Sequence, residues 1–189
     1  MKKRLIASVL CLSCLFSLTP VFAAAQEKNQ DGWHKVTVLS EIIKEDGSSV
    51  LTIRDASGVK TLHFKLVNSP ALFSTQRDLS WEGWGEPTTV QYNATAEQTL
   101  QSMSQAALRA FLGSALGIGG TVLGIIVPPL YDAIQANCGN GEKTIWLERT
   151  IWLKNDYSAY RRQDNFYKDE NFDELVYSTG IKEFIGGNR

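Results

Sequence analysis

The sequence predicts an α+β fold in which an antiparallel β-meander and a C-terminal β unit flank a central Gly-rich apolar helix or helical hairpin. Three observations predict it. Apolar residues alternate between turn signals over residues 33–92. A long uncharged stretch lies within 95–136. A six-residue duplication opens the aromatic region 142–189.

The N-terminus comes first. Lys2, Lys3 and Arg4 precede an uncharged run from Leu5 to Leu18, and small residues follow at Ala23-Ala24-Ala25. This is the three-part layout of a bacterial secretory signal, too short in its apolar part to span a bilayer. Residues 1–25 are therefore read as a signal peptide and 26–189 as a single mature domain, secreted and extracellular with membrane association left open. Cys11 and Cys14 fall inside the signal, which leaves Cys138 alone and excludes an intramolecular disulfide.

The net charge of −1 becomes −4 once the three leading cations are gone. With no basic block, nucleic acid is not an expected partner.

In the meander, His34 to Ile43, Val50 to Arg54 and Val59 to Val67 read as strands. Asp46-Gly47 and Asp55-Ala56-Ser57-Gly58 supply the turns between them. Trp81 and Trp84 sit among glycines, where they are expected to seal the end of a sheet. Val90-Gln91-Tyr92 reads as a short strand. Thr95 and Gln98 have the spacing of a capping box, so a helix is expected to begin there.

From Ala110 to Tyr131 no residue is charged; these 22 residues would extend about 33 Å as one helix, the depth of a hydrocarbon core. Gly113/Gly117 and Gly120/Gly124 have the G-x-x-x-G spacing that lets helices approach closely. Pro128-Pro129 is expected to stop or kink the helix. Two readings follow. In one, the segment inserts in a membrane and self-associates through Gly113, Gly117, Gly120 and Gly124. In the other, it is a helical hairpin bent near Gly117 to Gly120 and buried against the sheets.

Thr144-Ile145-Trp146-Leu147-Glu148-Arg149 is repeated as Thr150-Ile151-Trp152-Leu153-Lys154-Asn155. A six-residue period preserves the face of a strand but rotates a helix by about 240°. The strand reading puts Ile145, Leu147, Ile151 and Leu153 on a core face interrupted by Arg149. Trp146 and Trp152 then share the other face. With Tyr157 and Tyr160 they are the candidate interface aromatics.

No catalytic constellation emerges. His34 and His63 lack metal-ligand spacing, Ser114 is one place early for a nucleophile elbow, and the acidic residues between Asp156 and Glu174 lack the calcium-loop pattern. The chain is thus expected to be non-enzymatic, with no metal and no cofactor. The leading expectation is a secreted membrane-active protein, bacteriocin-like or toxin-like, whose partner is a lipid membrane or a second copy of itself. The alternative is an extracellular binding or interaction domain with the hairpin buried, its protein or glycan partner unspecified.

Overall fold

The computed structural model describes residues 36–67 and 79–187. The signal peptide and His34 lie outside the described residues.

Seven strands form one antiparallel sheet: β1 (Thr37–Ile43), β2 (Ser48–Asp55), β3 (Gly58–Leu66), β4 (Thr88–Thr95), β5 (Thr144–Leu153), β6 (Ala159–Tyr167) and β7 (Leu175–Gly186). Two helices, α1 (Gln105–Ala115) and α2 (Gly120–Asn137), are inserted between β4 and β5. The order across the sheet is β1-β2-β3-β7-β6-β5-β4. Strand outweighs helix, 46% to 23%, so the sheet dominates the α+β architecture. The expected meander is β1–β3. The C-terminal unit joins it in one sheet system, because Phe64, Lys65 and Leu66 on β3 pair with Gly186, Ile185 and Phe184 on β7.

The sheet is rolled. In a flat sheet β1 and β5, five strand positions apart, would be separated by about 24 Å. Yet Glu41 on β1 lies 3.2 Å from Arg149 on β5. Tyr160 on β6 likewise lies 2.6 Å from Ser49 on β2. The result is close to a barrel, with the ladder ending at β1 and β4.

On β5 every second residue is buried, from Ile145 to Leu153, as the duplication implied. The inner face of the roll meets the two helices. Leu108 and Leu112 of α1, and Val122, Leu123, Ile126, Val127, Leu130 and Ile134 of α2, join Phe64, Leu147, Phe166 and Phe184 in one core. The uncharged segment thus takes the hairpin form of the two expected. It breaks at Leu116–Gly119, and Gly117 and Gly120 adopt left-handed φ of 61° and 54°. After α1, Gly117 turns the chain and Ile118 N–H reaches back to the Leu112 carbonyl at 3.4 Å. Gly120 is required by a close approach: a Cβ there would stand 2.4 Å from Glu45 Cα in the β1–β2 turn. Thr121 completes that junction by donating its hydroxyl to the Glu45 carbonyl at 3.0 Å.

Two local expectations are corrected. Thr95 does not cap a helix. It ends β4, facing Thr144 with 3.2 Å between hydroxyls, and Ala96 N–H still pairs with the Lys143 carbonyl at 2.6 Å. Strand pairing outcompetes the local cap, and the helix starts ten residues later, where Ser104 accepts from Ala107 N–H at 3.2 Å. Pro128 and Pro129 do not end α2 but lie inside it. An interior proline costs about 3 kcal/mol. The full burial of Ile126, Val127, Leu130 and Ile134 around them outweighs that loss.

Candidate functional site

Two polar constructions stand out, one inside the roll and one outside. Inside, Asp164 on β6 is held by two guanidinium groups. Arg149 reaches it with Nε at 2.8 Å and Nη2 at 3.3 Å, while Arg162 reaches it with Nε at 3.0 Å and again through Nη2. Each arginine also places Nη1 3.2 Å from Glu41 Oε2. That oxygen is fully enclosed and gains Coulombic attraction without a well-aligned hydrogen bond. The Tyr160 hydroxyl lies 2.9 Å from Glu41 Oε1 and 2.6 Å from Ser49 Oγ. With one proton to give, it donates to the carboxylate and accepts from the serine.

Burial alone would raise the Asp164 carboxyl, but the charges of Arg149 and Arg162 overcome it and hold the group well below the usual carboxylate range. It stays ionised and its lone pairs are occupied, which makes it a tie and not a proton acceptor. The two acids balance the two arginines. Lys182, opposite Arg162 in register and 5% exposed, adds a further cation. Among the described residues it has no ion-pair partner, and burial pushes its ammonium below the ordinary lysine value. The Tyr92 ring lies against Arg149 at 5.7 Å and rises in pKa through burial.

Outside, the loop before β4 lies along the end of β5. Gly85 N–H bonds the Leu153 carbonyl at 2.9 Å, and Asn155 N–H bonds the Gly83 carbonyl at 2.9 Å. Arg161 is clasped between Trp84 at 4.0 Å and Trp81 at 4.9 Å, with Nε on Glu183 at 2.8 Å. Trp152 packs on Trp81 at 5.2 Å. Trp81 and Trp84, both half-buried, thus pack over Arg161 and Trp152 at the end of β5.

Further along the same outer face is an open depression of about 370 Å³, lined by Gln91, Tyr92, Asn93, Trp146 and Phe172. The strand register brings these together: Asn93 faces Trp146, Trp146 faces Tyr167, Gln91 faces Glu148, and Glu148 faces Asn165. Gln91 donates to Glu148 at 3.2 Å. One wall comes from the β6–β7 loop. Phe172 packs edge-on against Trp146 at 6.0 Å and against Tyr167 at 5.4 Å. The loop itself is fastened by Asp169, whose carboxylate accepts the backbone N–H groups of Asn171, Asp173 and Glu174 at 3.0, 3.2 and 2.6 Å.

The structure distributes the sequence candidates unevenly. Of the four glycines, Gly113 lies on α1, Gly117 in the connection, Gly120 at the first residue of α2 and Gly124 on its exposed side. They do not share one helical groove. Of the aromatics, Trp146 enters the cleft and Trp152 joins the tryptophan clasp. Tyr157 turns the chain at φ 58° and donates to Asp55 at 2.9 Å. Tyr160 is corrected as an interface residue, because it is fully buried between Phe64 and Phe184. Cys138 is buried at the end of α2, where burial pushes its thiol up to about 11.

Glu41, Arg162, Asp164, Asn93 and Phe172 were missed. Arg162 and Asp164 alternate on β6 with the period of its core face, the one signal that could have marked them.

Among the described residues no group of His, Cys, Asp and Glu is disposed to hold a metal ion. Among the same residues no helix is long and apolar enough to cross a membrane. No protein-family model, curated protein or solved structure matches the chain.

Proposed function

We propose that this chain is an exported, non-enzymatic binding module whose ligand meets the outer face of the sheet at the Trp146 cleft. The glycine-rich segment serves as its core. One observation carries the reading. Leu108, Leu112, Leu116, Ile118, Val122, Leu123, Ile126, Val127, Leu130 and Ile134 are all buried against the sheet or one another.

At about 1.5–3 kcal/mol for each of these side chains, their burial is worth roughly 15–30 kcal/mol as an upper estimate. Presenting them to a bilayer requires giving up that packing before any lipid contact forms. Among the described residues, an indole, a phenyl ring and two amides converge at one open depression on the outer face. The N-terminal segment supplies the argument for export.

The test is a thermal-shift panel of oligosaccharides, peptides and lipid micelles, run on the protein and on Trp146→Ala. A ligand that raises the melting temperature of the first and not the second supports the reading. Stabilisation by lipid alone, equal in both proteins, contradicts it.

A further inference from the structure

We propose that the Trp146 cleft takes a neutral saccharide, its ring laid on the indole and its hydroxyls bonded by the amides of Asn93 and Gln91. This rests on the binding-module reading and names its ligand class. A pyranose offers an apolar face of C–H groups and a rim of hydroxyls that both donate and accept. An exposed indole or phenyl ring matches the face. A carboxamide, with one acceptor and two donor hydrogens, matches the rim. The cleft supplies both kinds of group side by side from adjacent strands.

Charge narrows the choice further. The ionisable group bonded to the lining is Glu148, an acceptor. The loop carrying Phe172 adds Asp169, Glu170, Asp173 and Glu174, and its one cation, Lys168, is engaged by Glu174. Among the described residues of the lining and this loop, a phosphate, sulfate or carboxylate on the ligand would meet like charge and no free cation. A basic peptide would suit that charge, but it lacks a place between the rings. Trp146, Phe172 and Tyr167 touch edge to face and leave no box to enclose an ammonium.

The wall is also set in advance. Phe172 holds a left-handed φ of 60°, which a side chain larger than glycine adopts at a cost, and Asp169 fixes the loop that imposes it. A wall placed before binding spares the ligand the entropy of ordering it.

The experiment titrates the purified protein with cellohexaose, chitohexaose and maltohexaose, reading tryptophan fluorescence and heat. A sulfated oligosaccharide and oligolysine are run alongside. At least one neutral hexasaccharide is expected to bind, with the sulfated one weaker. Trp146→Ala should weaken binding tenfold or more, Asn93→Ala three- to tenfold, and Trp152→Phe should leave it unchanged. Trp146→Phe should restore part of the loss, which separates a missing stacking face from a misfolded variant. Failure of all three neutral sugars, or indifference to Trp146→Ala, overturns the proposal. Trp146-dependent binding of oligolysine without sugar binding removes the saccharide and keeps the binding module. Binding of no probe, together with leakage of lipid vesicles, removes both.

Discussion

Replacing Asp164 by asparagine tests the buried ion network most sharply. The carboxylate accepts from two arginines that are 5% and 3% exposed, so neither can turn to water when it is neutralised. Breaking a buried pair by removing one partner costs about 3–5 kcal/mol, because the remaining charge is left uncompensated. Here Glu41 is the sole remaining anion for two guanidinium groups with Lys182 close by, which places the expected loss at the upper end. For a domain of this size about 1 kcal/mol corresponds to about 2–4 °C, so a loss of about 5 kcal/mol should make Asp164→Asn melt roughly 10–20 °C lower. The assay is calorimetry at pH 7 followed by a pH series. The folded carboxyl sits below its unfolded value, so its contribution is full above about pH 5 and is lost as the pH falls toward the folded value. Wild type should therefore converge on the variant in acid. A melting temperature within 2 °C of wild type at neutral pH would show that Asp164 is not the clamp of the roll, and the reasoning from buried charge would fail.

Other outcomes follow from the same geometry. In urea titration, Gly120→Ala should cost more than about 2 kcal/mol, since a left-handed φ is joined by a backbone clash, whereas Gly117→Ala, with open space around it, should cost about 1–2 kcal/mol. Gly124→Leu, on an exposed helical site facing nothing within 4 Å, should stabilise by up to about 1 kcal/mol because glycine is the poorer helix former; a large loss there would restore the glycine groove. Lys182→Met should remove a pH dependence: the folded ammonium is the weaker base, so wild-type stability rises with pH toward the unfolded lysine value, and the variant's curve, compared by chemical denaturation, should lack that rise. Cys138, with a thiol pushed up to about 11, should resist a disulfide reagent at pH 8 until urea unfolds the chain, its thiolate fraction being about one in a thousand.

The parts of this fold that were legible in the sequence are those governed by local period and turn chemistry. The strands β1 to β3 announce themselves by alternation between Asp-Gly and Asp-Ala-Ser-Gly turns. The duplication around Trp146 and Trp152 fixed both the strand and the face of β5, because only a period of two survives a six-residue repeat. The uncharged segment left two readings open, since burial in protein and burial in lipid select the same residues. What separates them is a backbone event at Gly117 and Gly120, the second pressed against a turn 75 residues earlier in the chain.

Thr95 misled because a nonlocal strand pairing outweighs its local capping preference, and of the stop or kink expected at Pro128 the stop does not occur. The ion network was hidden differently. Arg149 and Asp164 face each other across the β5–β6 pair, but Glu41 on β1 joins them only because the sheet rolls. Phe172 was unremarkable among many aromatics until Asp169 was seen to set its backbone.

The central claim is that the glycine-rich apolar segment is the core of this domain and not its weapon. Co-sedimentation of residues 26–189 with dye-loaded liposomes, neutral and anionic, tests it most directly. The protein should remain in the supernatant and the dye inside the vesicles. Sedimentation with dye release would mean that α1 and α2 leave the sheet for the bilayer, and the claim would be wrong.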